Sequence, residues 1–230
     1  MKKVIITFIM LATAIVVGNA QFFVEGSIGV RYDSEELDGR VFSETTSSSV
    51  SFLPQVGYWL NDNIAIGLRV TLSKENTKRK TINPNSPESN LDATTSRWRV
   101  SAFSRYKLWG TEKFSLLFDG SLYYERRNEI ASIKRETSVV NSLNPVSRVG
   151  IHVFPAISYD LSERFSIIAT SHFLSMEYYS ENGKTENTYT DNGSTRTSTS
   201  KERTKRFVFG TSSTIFNSLG SIRIGFIYNF

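Results

Sequence analysis

Apolar residues recur at every second position through most of this chain. Val24, Gly26, Ile28, Val30 and Tyr32 share one parity, and Glu25, Ser27, Gly29 and Arg31 take the other. The split repeats with Val50, Phe52, Val56 and Tyr58 against Ser49, Ser51, Gln55 and Gly57. It is sharpest where Ile64, Ile66, Leu68, Val70 and Leu72 face away from Ala65, Gly67, Arg69, Thr71 and Ser73. Further runs centre on Trp98–Leu108, Phe114–Tyr124, Val149–Tyr159 and Phe165–Phe173, and the chain ends in Ile222, Ile224, Phe226, Tyr228 and Phe230. A helix would repeat every three to four residues, and none of these runs does. The pattern therefore predicts an all-β chain.

The connections between runs alternate in length. Asn61-Asp62-Asn63, Gly110-Thr111-Glu112 and Asp160 to Arg164 read as tight turns. Longer polar stretches near 34–46, 76–93, 128–145 and 180–203 read as loops at the opposite end. The last carries ten Ser or Thr within 185–204 and contains Asp191-Asn192-Gly193, a hairpin signal, so it is expected to stand as a twisted hairpin above the rim.

A soluble β-sandwich alternates in the same way, so other features must decide. Aromatics collect at both ends of the apolar face. Tyr58, Trp109, Phe114, Tyr159, Phe165, Tyr228 and Phe230 lie near the short turns, and Tyr32, Trp98, Tyr124, Phe173 and Tyr178 near the long connections. Such girdles suit two membrane interfaces. Lipid offers no hydrogen bonds, so a sheet crossing it must close on itself. Each run is about as long as the 9–11 residues a tilted strand needs to cross. The expectation is an antiparallel up-and-down transmembrane β-barrel of eight strands, with ten as the alternative. The stretch Phe207 to Phe216 is the ambiguous one, read here as part of the last strand with a kink at 217–220.

The N-terminus points the same way. Lys2 and Lys3 precede the apolar run Val4 to Val17, which ends in Gly18-Asn19-Ala20. A basic tip, a short apolar stretch and small residues before the break fit a cleaved signal peptide over 1–20, followed by a barrel domain over 21–230. A membrane anchor is the alternative, but it wants about 20 apolar residues.

The final stretch, Ile222 to Phe230, resembles the C-terminal strand of small bacterial outer-membrane β-barrels, the OmpX/OmpA-barrel and porin-like group. In that family a terminal aromatic with alternating residues upstream is read by the barrel-assembly machinery, which by this resemblance would recognise Phe226, Tyr228 and Phe230. The resemblance implies the outer membrane of a Gram-negative-type bacterium, and no particular activity.

Composition changes the picture in three places. The 39% hydrophobic content and mean hydropathy of −0.24 exclude a polytopic helical membrane protein, yet leave a barrel open, because alternation halves the apparent apolarity. The absence of cysteine removes disulfides, thiol catalysis and Cys-type metal sites. The net charge of +5 falls by two if Lys2 and Lys3 leave with the leader, so it argues weakly for nucleic acid, and no nucleic-acid partner is expected.

The polar parity places Glu25, Arg31, Arg69, Arg99, Arg105, Lys107, Asp119, Glu125, Arg127, Arg148 and Arg223 in the lumen. An eight-stranded barrel is just wide enough for side chains to fill, so these are expected to form a packed polar network. A narrow anion-favouring pore is the alternative, because basic groups outnumber acidic ones and rings of Arg and Lys select anions. Catalysis is not expected. His152 and His172 are the only histidines, and the residues two positions on, Phe154 and Leu174, do not give the His-x-Ser pairing of barrel acyl hydrolases. No cofactor and no metal are expected. Basic residues in the polar stretches, such as Lys74, Lys78, Arg126, Lys134, Lys201 and Lys205, suit contact with lipopolysaccharide phosphates or an extracellular surface partner. The first expectation is thus a structural or surface-interaction protein. The second is a small pore for polar or anionic solutes. The third is a barrel enzyme acting on envelope lipid.

Overall fold

The computed structural model describes residues 22–37, 42–83, 86–135, 138–170, 175–191, 194–210 and 223–230. The expected leader over 1–20, the kink at 217–220, His172 and Phe173 lie outside the described residues. The ten described elements are all strands. They are β1 (Phe22–Leu37), β2 (Phe42–Asn61), β3 (Ile64–Asn83), β4 (Ser86–Gly110), β5 (Phe114–Lys134), β6 (Ser138–Asp160), β7 (Phe165–Thr170), β8 (Ser175–Asp191), β9 (Ser194–Gly210) and β10 (Arg223–Asn229).

Every pairing is antiparallel. Strands β1 to β6 pair in sequence order, β6 pairs β7, β7 pairs β10, and β10 returns to β1. The ring therefore closes through eight positions. Strand β8 continues the position of β7 along β6, and β9 pairs β8 on its far side. The change of partner falls beside Pro155, which has no N–H to give the ladder: β7 pairs from Ala156 onward and β8 from Val153 backward. Eight positions filled by ten strand segments thus reconcile the two counts open in the sequence.

Register fixes the shape. From Ile28, partners run one way through Phe52, Leu72, Trp98 and Arg126 to Ser147 on β6. The other way they run through Ile224 and Ala169 to Ile157 on the same strand. The two arrivals are about ten residues apart, and this stagger is what tilts the strands against the barrel axis. Correcting for it brings Tyr32, Trp98, Tyr124 and Tyr178 to within about one residue of a common level.

The turns at one end are built as read. Asn61 Oδ1 accepts from the N–H groups of Asn63 and Ile64, both at 2.9 Å, so its side chain closes the β2–β3 turn. Thr111 and Ser162 hydroxyls accept from the N–H groups of Phe114 and Phe165, each at 3.1 Å, in the next two turns.

At the opposite end the structure corrects the sequence reading. The polar stretches near 34–46, 76–93 and 128–145 are mostly not loops, while 180–203 is the hairpin expected there. The ladders continue through them: β2–β3 to Phe42↔Ile82, β3–β4 to Asn83↔Ser86, β5–β6 to Lys134↔Val139 and β8–β9 to Asp191↔Ser194. Strand β4 alone has 25 residues, more than twice what a crossing needs. Polarity misled because it marks solvent, not irregular backbone. Thr is a good strand former, and the sheet edge already supplies a hydrogen-bonded template.

The wall is apolar outside. Val24, Ile28, Val30, Leu68, Leu122, Ile151, Ile224 and Phe226 all stay exposed on the outer face. Rings pack beside one another at both levels. Trp98 and Tyr124 are 5.4 Å apart at the upper one, and Phe165 and Phe226 stack at 5.6 Å at the lower one. This is the inside-out arrangement of a transmembrane-type barrel.

Candidate functional site

The inner parity of each strand builds the lumen, so the chemistry lies on side chains that alternation turns inward. Near the short-turn end the filling is apolar: Phe23, Ala65, Phe103, Leu117, Ala156, Ile168 and Ile227 form one buried cluster with Trp59 against it. Gly57 and Gly67 make room for it. A Cβ on Gly57 would lie 2.3 Å from the Phe23 ring, and one on Gly67 would lie 2.7 Å from Phe103.

Directly on this cluster sits an ionic layer. Arg105 and Asp119 are register partners on β4 and β5 and are fully buried. The Arg105 guanidinium donates to Asp119 through two nitrogens at 2.7 and 3.0 Å, and across the lumen to Glu25 at 2.8 Å. Arg69 donates to Asp119 and to Gln55, both at 2.5 Å. The Arg69 guanidinium also lies 4.8 Å from the centre of Phe103 and 5.1 Å from that of Phe154. Arg105, Asp119 and Arg69 are each forked, stacked or both and Glu25 is ion-paired, which is the condition under which buried ions are tolerated.

A second layer lies further along. Arg99, Glu125, Arg148 and Glu181 are successive register partners on β4, β5, β6 and β8, so charge alternates in sign from strand to strand. Arg99 reaches Glu125 at 2.7 Å and Glu177 at 3.3 Å, and Arg148 reaches Glu181 at 2.5 Å. Tyr123 donates its hydroxyl to Glu177 at 2.5 Å, under the Arg99 guanidinium at 3.8 Å from its ring. Arg148 stacks likewise on Tyr179 at 3.9 Å.

The sequence-derived lumen residues therefore separate into groups. Glu25, Arg69, Arg105 and Asp119 meet in the first layer, and Arg99, Glu125 and Arg148 in the second. Arg127 stands at the margin, 4.0 Å from Glu181. Lys107 belongs to neither, and lines a lower chamber with Asp160 and Glu163. Arg31 borders the upper chamber, where its side chain is 55% exposed and pairs with Asp33 on its own strand. Arg223 faces the upper chamber. Phe226, Tyr228 and Phe230 point outward from the last strand.

Sequence reasoning missed Gln55, Arg97, Glu177 and Glu181. The signal was present. Met176 and Tyr178 face outward, so alternation turns Glu177, Tyr179 and Glu181 inward; ending the apolar run at Phe173 and opening a polar stretch at 180 left them out. With these carboxylates included, the excess of lumen cations shrinks.

Two chambers flank the filled section. The upper one, about 440 Å³, is bordered by Glu25, Arg69, Arg97, Arg99, His152 and Arg223 among others. The lower, about 610 Å³, lies between Trp59, Lys107, Ser158 and Asp160. Arg105, Asp119, Phe23, Ala65, Phe103 and Ile168 border neither and fill the section between. His152 lies in the upper wall with Ser121 and Glu177 as register partners, and the Ser121 hydroxyl donates to its carbonyl oxygen at 3.2 Å.

No family model matches the chain, and no curated protein matches it in sequence. Among solved structures it is similar to the ferric yersiniabactin uptake receptor FyuA from Yersinia pestis, at 10% identity and a TM-score of 0.44. That match covers 82% of this chain and 32% of the receptor, so the chain spans about a third of that protein's length. It is also similar to a major outer membrane protein from Thermus thermophilus, at 11% identity and a TM-score of 0.43, over 93% of this chain and 100% of the other. The outer membrane protein OprG from Pseudomonas aeruginosa is similar at 13% identity and a TM-score of 0.41, over 92% and 96% of the two chains.

Proposed function

We propose that this chain is an integral outer-membrane β-barrel protein with a closed lumen, acting as a structural and surface-interaction protein and not as a pore or an enzyme. The observation that carries the reading is the distribution of polarity. The wall is apolar outside between two aromatic levels, the lumen is charged and paired inside, and the section between the chambers is filled by Arg105 and Asp119 at 0% exposure on an apolar cluster. A water-soluble barrel would reverse the outer wall, and an ion path would need water where these side chains pack.

Beyond the upper aromatics the hairpins leave the apolar band and present Ser, Thr and Lys on long rigid strands. That is a suitable platform for contact with another surface. Outward Lys74, Arg126 and Lys205 follow soon after the aromatic level, where lipopolysaccharide phosphates would lie. Export by the leader over 1–20 and recognition of Phe226, Tyr228 and Phe230 by the barrel-assembly machinery belong to the same proposal.

Membrane fractions run on SDS gels before and after boiling test it. The unboiled protein is expected to migrate as a distinct folded species, and planar bilayers holding it should show no steady conductance. A soluble, heat-insensitive protein would overturn the membrane reading. Stable single-channel currents would overturn the closed lumen. Removing 184–201 joins Gly183 to its register partner Glu202. It is expected to preserve the heat shift and to abolish surface adhesion.

A further inference from the structure

The charges of the upper chamber are not evenly matched. Arg69 and Arg99 hold carboxylates, but Arg223 makes no hydrogen bond or ion pair among the described residues, and its charged neighbours are Arg99, Arg69 and Arg97. Two further donor atoms at the same chamber are buried and without a hydrogen-bond partner: Gln55 Nε2, and Arg97 Nε, which has the Glu125 carboxylate 3.7 Å away as an ion pair. All three are donors. Among the described residues, no buried side-chain acceptor stands unpaired. A buried donor without an acceptor costs about 1–3 kcal/mol, and an uncompensated cation costs more. A chamber with surplus donors and surplus positive charge matches a ligand that brings acceptors and negative charge.

We propose that the upper chamber is a binding site for a small oxyanion of the phosphate class, held by the Arg223 guanidinium with Arg97 and Gln55. Ser27 and Ser101 on the same wall add hydroxyls that border this space. Guanidinium forks match the paired oxygens of a phosphate, which a point charge such as chloride does not offer. At about 440 Å³ the space suits a small solute and not a polymer. The filled section beneath makes the site a blind pocket, so binding does not entail passage. The inference needs the folded barrel alone, not the structural role proposed above, and the heat-modifiable shift reports folding before any titration is read.

The full chain, folded in detergent, should be titrated with inorganic phosphate by calorimetry and by thermal unfolding. Saturable binding and a rise in Tm are expected for the wild type. Arg223→Gln should weaken binding at least tenfold, and Arg203→Gln, on the outer face of β9, should leave it unchanged. If Arg223→Gln loses the heat shift, Arg223→Lys keeps the charge without the fork and is expected to bind several-fold more weakly than wild type. No saturable binding to wild type, equal stabilisation by chloride at matched ionic strength, or undiminished binding by whichever Arg223 variant folds would each overturn the site.

Discussion

The two halves of this barrel are made from the same ladders and differ in what surrounds them. In the short-turn half, the outer face carries Ile28, Leu68, Leu122 and Ile224, and the inner face carries Arg105, Asp119 and Glu25 closed over by an apolar cluster. In the far half, the hairpins continue with Ser, Thr, Lys and Glu on both faces, and their ion pairs stand in the open. Lys80 and Glu88 are 45% and 41% exposed, 3.2 Å apart. Backbone pairing needs only extended residues, so a strand persists across the boundary. The side chains, not the ladder, record where one solvent gives way to another. The same lesson governs electrostatics. A carboxylate in the lumen must be matched atom by atom, and one at the far tips need not be.

This contrast can be broken by mutation, and the largest effect is expected in the lumen. Asp119→Ala leaves buried Arg105 with Glu25 alone and deprives Arg69 of its carboxylate. It should cost about 3–5 kcal/mol in urea unfolding followed by the loss of the heat-modifiable gel band. A cost no greater than at the tips would mean that the section is hydrated after all. Next comes close packing. Gly57→Ala drives a methyl into the Phe23 ring and should cost about 1–3 kcal/mol in the same assay. Tyr123→Phe removes the hydroxyl that donates to Glu177 but keeps the ring under Arg99. About 1 kcal/mol is expected, with the barrel otherwise intact. The smallest effect belongs to the far half. Lys80 holds the Glu88 carboxyl below its usual range through a hydrogen bond, with Asn90 adding another. The pair is solvated, so Lys80→Ala should leave the Tm unchanged within error. A clear drop would show that the tips are more than a solvated extension.

Much of this was legible in the sequence, and the misses share one cause. Strand identity and facing were readable wherever alternation ran unbroken, as in Ile64–Leu72 and Phe114–Glu125. The turn at Asn61-Asp62-Asn63 was readable because an Asx side chain closes it locally. The β8–β9 hairpin was readable from Asp191-Asn192-Gly193, but the other far hairpins were not, because Ser and Thr on both faces erase the contrast on which alternation depends. Glu177 and Glu181 were lost between the apolar run ending at Phe173 and the polar stretch opening at 180. Arg31 has lumen parity yet pairs along its own strand with Asp33, since parity names a face and not the contacts made there.

The sequence by itself determined class, facing and the outer wall, because a strand turns each side chain to one of two sides and that choice is local. Tertiary structure decided the rest. Glu25 and Arg105 lie 80 positions apart, and Arg69 and Asp119 lie 50 apart, and they meet only because the ring closes through eight positions with a fixed stagger. Closure set the width of the lumen, and the width decided that these side chains fill it. Among the described residues it also left Arg223 without an ion pair, and Gln55 Nε2 and Arg97 Nε without a hydrogen-bond partner. Pairing across a closed lumen depends on geometry accumulated over every strand, and no local pattern carries that information.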